Sequence, residues 1–179
     1  MKHLIYPLLA AALLAGFFLD NASLQIAEST KSPVLDYAML LLSNPILIFA
    51  AAVLATILLL KRKKKKWVLP LWAGFALSWV LSYIIKFLVA RPRLAEQAIL
   101  GFPDYSLPSA HAALLFSLFP VINKEFPKSS WYFLFFVLLV SFSRIYLKAH
   151  YLSDIIAGGL LGYFTGVLAV RYISRQNAP

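Results

Sequence analysis

Residues 45–89 read PILIFAAAVLATILLLKRKKKKWVLPLWAGFALSWVLSYIIKFLV. Six consecutive basic residues, 61–66, separate two runs that are almost entirely apolar. An apolar run of about 20 residues can cross the hydrocarbon core of a bilayer as a helix. A basic block beside such a run is typical of a cytoplasmic loop and can also attract anionic lipid headgroups. This stretch therefore predicts two membrane-spanning helices joined by a cytoplasmic loop.

The composition of the whole chain is that of a membrane protein. Of its 179 residues, 61% are hydrophobic and 13% are charged, whereas a soluble domain carries about 25% charged residues. The formal charge of +10 is concentrated in the juxtamembrane block, so no nucleic-acid partner is expected. The chain has no cysteine, which excludes disulfides, thiolate nucleophiles and thiolate metal ligands.

The hydrophobic pattern predicts an all-α integral membrane protein with six transmembrane helices and one domain over residues 1–179. Residue 45 is a proline expected to kink the second span, and Pro120 is expected to end or bend the fourth. The first span could instead be a signal peptide, but no convincing cleavage site follows it, so a retained helix is favoured. The predicted spans are residues 4–19, 34–60, 67–89, 109–122, 131–147 and 155–172.

The distribution of basic residues predicts the orientation. With six spans, eleven lysines and arginines fall on the side of the termini and six on the other side. The positive-inside rule then places both termini in the cytoplasm. Five of the six outer cations lie at or near predicted helix ends rather than in a free loop.

Three segments bring ionisable residues to the predicted outer face. Such groups at membrane depth are costly and usually functional. The segments are Lys86 to Arg93, Pro108 to His111, and Ser143 to Asp154.

This cluster has the chemistry of a phosphate site. Cations beside a helix N-terminus opened by Pro108 and Ser109 bind anions, and they stabilise the charge that develops during phosphoryl transfer. Two histidines, His111 and His150, can supply a nucleophile or base and an acid. Asp154 lies four residues after His150, where it can accept the ring N–H and orient the imidazole.

A metal site is the poorer alternative. Zinc could be bound by His111, His150 and Asp154 on ligand type alone, but the surrounding cations would repel it. Glu96 and Asp104 are interpreted as solvated loop charges. We therefore expect neither a metal nor a cofactor.

The residues that carry this chemistry resemble the motifs of the type-2 phosphatidic acid phosphatase superfamily, K-x6-R-P, P-S-G-H and S-R-x5-H-x3-D. The corresponding residues run from 86 to 154. Two positions depart from the pattern: Leu94 replaces a proline, and Ala110 replaces a glycine and could narrow the pocket. The matching residues are Lys86, Arg93, Ser109, His111, Arg144, His150 and Asp154.

The resemblance implies a role for each of these residues. His150 would be the nucleophile that forms a phosphohistidine, Asp154 would orient it, and His111 would be the general acid. The phosphate would be held by Lys86, Arg93, Ser109 and Arg144. Arg91 could share the role of Arg93, whereas Lys148 is interpreted as a snorkelling surface cation. We expect Gly158, Gly159, Gly162 and Gly166 to allow close helix packing.

The implied function is metal-independent hydrolysis of a phosphorylated membrane lipid at the outer face of the inner (plasma) membrane. The substrates that the resemblance suggests are undecaprenyl diphosphate, phosphatidylglycerophosphate, lipid A 1-phosphate and phosphatidate. A short interfacial helix around residues 95–100 could shape headgroup entry. The alternatives are an anion or lipid transporter, which would need charges along a path, and a non-catalytic lipid-phosphate-binding protein. The sequence does not predict an oligomeric state.

Overall fold

Seven α-helices account for most of the residues that the computed structural model describes, which are 5–94 and 105–176. The all-α prediction is confirmed for these residues. A short 3₁₀ turn, Lys65–Trp67, precedes the fourth helix. The helices are α1 (Ile5–Ser29), α2 (Pro33–Leu42), α3 (Pro45–Lys61), α4 (Val68–Val89), α5 (Ala110–Glu125), α6 (Ser130–Tyr146) and α7 (Leu152–Gln176).

Three of the described helical segments are long and apolar enough to cross a membrane, namely Ala10–Ser29, Lys65–Val89 and Leu152–Ile173. The pair α2 and α3 passes the same test together and makes a possible fourth span. Helices α5 and α6, with 16 and 17 residues, are shorter than the roughly 20 residues of a typical span. Each predicted span has a helix at its place, but the count of six stays a prediction.

The second predicted span is two helices rather than one. The chain breaks at Ser43 and Asn44, and the axes of α2 and α3 differ by 50°. The Asn44 side chain accepts a hydrogen bond from the Ile46 N–H at 2.9 Å, and Pro45 occupies the first turn of α3. These are the usual features of a new helix start. The prediction of a kink at Pro45 is confirmed.

Helices α1 and α5 extend beyond the ends of their predicted spans. Helix α1 continues past residue 19 to Ser29, so Asp20 lies inside it. Helix α5 contains Pro120 and continues to Glu125, so the proline does not end it. The proline ring faces Gly166 of α7, where an added Cβ would lie 3.0 Å from the ring Cγ. Close packing against α7 therefore stabilises the helical conformation of α5 across Pro120.

The outer surface of the bundle is apolar. Phe18 is 87% exposed and Leu88 is 79% exposed. In contrast, Ser78 and Ser82 of α4 are completely buried. Large exposed apolar side chains around buried polar ones are expected where lipid surrounds a protein.

Helices α5 and α7 pack backbone to backbone along a row of glycines. A Cβ on Gly158, Gly162 or Gly166 would overlap the carbonyl oxygen of a facing α5 residue. The predicted role of these glycines in close packing is confirmed, and it brings Ser109 against the beginning of α7. Residues 95–100, Glu96 and Asp104, on which expectations were placed, lie outside the described residues.

Candidate active site

The motif residues lie at one end of the helical bundle. Lys86 is in the last turn of α4, Ser109 is the N-cap of α5, and Arg144 is in the last turn of α6. His150 lies two residues before the start of α7, and Asp154 is in the first turn of that helix. The structure thus brings together the three segments that the sequence singled out.

Hydrogen bonds between the segments hold this end of the bundle together. They link the end of α4 and the residues after it to the residues before α5, and they link these stretches to the α6–α7 connection and the first turn of α7. The donors and acceptors are Ser106 N to Arg91 O at 2.8 Å, Ser109 N to Asp154 O at 2.9 Å, Arg93 Nη1 to Ala149 O at 3.2 Å, and Lys86 Nζ to Tyr105 O.

His150 is buried, with 1% of its surface exposed. Its backbone N–H donates to the Arg144 carbonyl at 3.1 Å, and its Nδ1 lies 3.5 Å from Asp154 Oδ2. That distance is long for a hydrogen bond but places the carboxylate on the Nδ1 side of the ring. The tautomer with the proton on Nδ1 is therefore favoured, and Nε2 is left with its lone pair.

The environment of His150 favours the neutral ring. Burial lowers the pKa of His150 to about 4, against the opposing effect of the Asp154 carboxylate. The positive charges of Arg93, Arg144 and Lys86 act in the same direction as burial and contribute to this value. At neutral pH the imidazole is therefore uncharged and able to act as a nucleophile.

Ser43, at the break between α2 and α3, contacts two of the motif residues. Its carbonyl oxygen lies 2.9 Å from His111 Nε2, and its hydroxyl accepts a hydrogen bond from Arg144 Nη1. Because a carbonyl can only accept, His111 Nε2 must carry a proton. The ring nitrogen Nδ1 of His111 is then the one that can exchange a proton.

Arg91 is bonded to carboxylates of the protein. Its Nη1 donates to Asp154 Oδ1 at 2.7 Å and to Ser153 Oγ at 2.7 Å, and its Nη2 donates to Asp20 Oδ2 at 2.9 Å. The guanidinium also lies 3.8 Å from the ring centre of Tyr151. These contacts place Arg91 beside Asp154, an arrangement that does not favour the expectation that it shares the role of Arg93.

Ser109 presents a buried hydroxyl at the start of α5. Its Oγ is buried and has no hydrogen-bond partner among the described residues. Such a group costs free energy unless it meets a polar ligand. The first N–H groups of α5 follow it, so the hydroxyl and the helix N-terminus together suit an anion.

An apolar cavity of about 390 Å³ opens beside His111. It lies between α3, α4 and α5, and Ala110, the residue that replaces the usual glycine, is part of its wall. Its lining consists of Pro45, Ile48, Phe49, Phe75, Trp79, Tyr83, Ala110, His111 and Leu114.

Sequence reasoning missed two residues of this region, Asp20 and Ser43. Asp20 was placed just beyond the first span, although a carboxylate next to an apolar run in the same helix is itself a signal. No local pattern could identify Ser43, since its importance comes from the contacts that the helix break creates. Lys148, in contrast, pairs with the exposed Glu28 at 2.7 Å, in agreement with a surface role.

In residues 5–94 and 105–176, no three histidine, aspartate or glutamate side chains are grouped as a metal site requires. The charged groups at this end of the bundle are mainly cations. Its donor set is therefore suited to an anion rather than to a divalent metal.

Comparison with known proteins agrees with the arrangement of helices and motifs. The chain is 33% identical, over 104 residues, to an undecaprenyl-diphosphatase from Sulfolobus acidocaldarius; the match covers 54% of this chain and 50% of that protein. The chain thus spans about half the length of this curated relative.

Two solved structures have a similar fold. LpxE from Aquifex aeolicus matches with a TM-score of 0.69 and 25% identity, covering 86% of this chain and 96% of that one. A PAP2-type phosphatidylglycerolphosphate phosphatase from Bacillus subtilis matches with a TM-score of 0.67 and 21% identity, covering 97% of this chain and 94% of that one. The second likeness supports the fold alone.

The family model of the PAP2 superfamily matches residues 67–178, a segment that begins just before α4 and contains all three motifs. This match covers more than half of the chain. The protein belongs to the PAP2 superfamily.

Proposed function

We propose that the protein is a metal-independent lipid phosphatase that removes a terminal phosphate from an anionic membrane lipid. The observation that carries the proposal is the pairing of two oriented histidines within one cluster of cations. His150 faces Asp154 and His111 is bonded to Ser43. Family membership and the likeness to an undecaprenyl-diphosphatase support the same function.

The reaction would proceed in two steps, formation of a phosphohistidine and its hydrolysis. In the first, His150 Nε2 attacks phosphorus, the bond to the leaving oxygen breaks, and this oxygen takes a proton from His111. In the second, water attacks the phosphohistidine, His111 takes a proton from the water, and the N–P bond breaks to release phosphate. Asp154 stabilises the positive charge that His150 gains on attack.

The cations would hold the phosphoryl group throughout. Arg93 and Arg144 can each bind two phosphate oxygens, and Lys86 adds a compact charge. The hydroxyl of Ser109 and the first N–H groups of α5 complete the binding site. Negative charge spreads over the three equatorial oxygens in the transition state, so these fixed donors lower the barrier directly.

The cavity beside His111 supports a lipid substrate. Its wall is mainly apolar and lies next to the proposed general acid, where the leaving group and its lipid chain must sit. The relative from Sulfolobus acidocaldarius gives undecaprenyl diphosphate as the first substrate to test. Phosphatidylglycerophosphate and lipid A 1-phosphate are the next candidates.

The proposed location is the inner (plasma) membrane, with six spans, cytoplasmic termini and the site facing outward. The charge count across the loops supports this orientation. The basic block 61–66 and the motif residues lie at opposite ends of α4. If the basic loop is cytoplasmic, as we propose, the phosphate site lies at the other face.

The direct test is phosphate release from lipid phosphates in detergent with EDTA present. We expect wild type to be active and His150→Ala to be silent, with a loss of at least about 10³-fold because the nucleophile is removed. Lys148→Ala is the matched control, since this cation is bonded to Glu28 at the surface. Equal loss in both variants, or loss of wild-type activity in EDTA, would contradict the proposal.

A side-by-side panel would identify the substrate class. The four lipids are undecaprenyl diphosphate, phosphatidylglycerophosphate, lipid A 1-phosphate and phosphatidate. We expect kcat/KM for at least one of them to exceed that for a soluble phosphate ester with the same leaving-group acidity. Activity confined to the soluble ester would overturn the lipid assignment.

A further inference from the structure

Helix α1 carries a buried carboxylate next to the proposed catalytic centre. Asp20 is 5% exposed, and both of its oxygens are hydrogen-bonded to the beginning of α7. Oδ1 accepts the Ser153 N–H at 2.8 Å, and Oδ2 accepts the Ser153 hydroxyl at 2.7 Å. A buried charge at this depth requires such partners.

Arg91 joins this carboxylate to Asp154. Its two terminal nitrogens reach Asp20 Oδ2 at 2.9 Å and Asp154 Oδ1 at 2.7 Å. The other oxygen of Asp154 accepts the Tyr151 N–H at 2.9 Å and faces His150 Nδ1. The Asp154 carboxylate is therefore held on one side by Arg91 and on the other by the backbone, which fixes the oxygen that orients His150.

We propose that the buried Asp20 and the partly exposed Arg91 form a bracket that positions Asp154, and through it the imidazole of His150. Asp20 is a positioning residue, because it contacts neither the phosphate site nor His150 directly. It lies outside residues 67–178, the part of the chain that the family model matches. Helix α1 thus helps to position the catalytic residues, in addition to its predicted role as a membrane span.

The close packing of α1 on α7 supports this inference. A Cβ on Gly16 would lie 3.2 Å from the Ser153 Cα and 2.8 Å from the Ile156 Cδ1. The glycine therefore lets α1 approach α7 one helical turn before Asp20, which is the spacing that puts the carboxylate on the same face. The close approach at Gly16 and the hydrogen bonds of Asp20 therefore join the same two helices, α1 and α7.

A double-mutant cycle tests the bracket, on the assumption that the proposed lipid phosphatase function is correct. Asp20→Asn keeps the size of the side chain but removes its charge. We expect it to lower kcat by roughly 10- to 100-fold with KM within about 2-fold, since small misplacements of a catalytic group cost this much. In an Asp154→Asn background, the same change should have less than about a 2-fold further effect, because the group it positions is already lost.

Glu28→Gln is the matched control, since Glu28 is a carboxylate of the same helix that pairs with Lys148 at the surface. It should leave kcat unchanged. Wild-type kcat in Asp20→Asn, or losses that multiply in the double variant, would overturn the bracket. If Asp20→Asn does not fold, Ser153→Ala removes the hydroxyl shared by Asp20 and Arg91 and should lower kcat by about 3-fold, whereas no change would count against the proposal.

A measurement without turnover separates the bracket from the function. The ¹⁵N shifts of the histidine side chains report which ring nitrogen carries the proton. At neutral pH, Asp20→Asn should reduce the Nδ1–H tautomer of His150 and Glu28→Gln should not. An unchanged tautomer in Asp20→Asn would contradict the bracket, whereas an inactive wild type with the expected tautomer change would contradict only the proposed function.

Discussion

His150 is a buried imidazole, and its charge state decides whether it can attack phosphorus. Because burial lowers its pKa to about 4, the ring is neutral above this pH and protonated below it. We therefore expect kcat/KM of the free enzyme to fall as the pH drops through about 4. A pH–rate profile on the preferred lipid would check this, and a fall near pH 6.5 would contradict it.

The cations around His150 should control the pH at which kcat/KM falls on the acid side of the profile, which we call the acid limb. Arg93 lowers the pKa of His150 through its charge, so Arg93→Gln should raise this pKa and move the acid limb to higher pH. The overall rate should also fall, since Arg93 is proposed to bind phosphate. Lys148→Gln, which removes a cation bonded to Glu28, should leave the limb in place. A limb that does not move in Arg93→Gln would argue against this electrostatic account.

Substitution of Ser109 should lower the activity without lowering the stability of the protein. Its hydroxyl is buried with no hydrogen-bond partner among the described residues, so Ser109→Ala removes no contact that stabilises the fold. We expect an unchanged or slightly higher Tm in detergent and a kcat/KM lower by roughly 10-fold, the cost of about one lost hydrogen bond to a charged phosphate. A lower Tm with normal activity would contradict the proposed phosphate contact.

At the residue scale, the sequence predicted the seven motif positions but not the residues that hold them. The motifs are recognisable because their spacing along the chain is regular. Asp20 and Ser43 belong to no such spacing and become important only through contacts over 71 residues to Arg91 and 101 residues to Arg144. Such contacts depend on tertiary packing, which no local pattern contains.

The pairing of α5 with α7 is the element on which the geometry of the site depends. Gly162→Ala would place a methyl group on the Ala113 carbonyl, so the helices would have to separate. We expect this variant to lower the Tm in detergent by about 5 °C or more, in line with a typical overpacking cost of about 1–3 kcal/mol.

Gly159→Ala is the matched control for that prediction. The atoms nearest to its added Cβ belong to the ring of Phe116, at 3.1 Å, and a side chain can move aside more easily than a backbone. Its Tm should fall by less than half as much. Equal effects of the two substitutions would show that the backbone approach at Gly162 is not what stabilises the pair.

At the element scale, hydrophobicity predicted where helices occur better than where they end. Helix α1 extends past Asp20 because the polar residues there are satisfied inside the bundle, which hydropathy cannot foresee. Pro45 predicted a kink near the break at Ser43 and Asn44, because the effect of a proline on a helix is local. The continuation of α5 through Pro120 depends on α7, so it could not be read from α5 alone.

The whole molecule has a charge asymmetry that agrees with a phosphate site at one end and a basic loop at the other. Lys66 lies just before α4 and Lys86 in its last turn, and of these two only Lys86 is buried, at 3% exposed. An exposed basic block interacts with water and lipid headgroups, whereas buried cations require a bound anion or protein partners. The orientation in the membrane therefore decides on which side the substrate must be presented.

Single cysteines can test this orientation, because the wild-type chain has none. Lys31→Cys lies between α1 and α2, and Ser129→Cys lies directly before α6; both positions are exposed. In intact cells, a membrane-impermeant maleimide should label Lys31→Cys and should label Ser129→Cys only after permeabilisation. The reverse pattern would invert the proposed orientation. Labelling of both from one side would contradict the odd number of spans proposed between them, since three crossings must place the two cysteines on opposite faces.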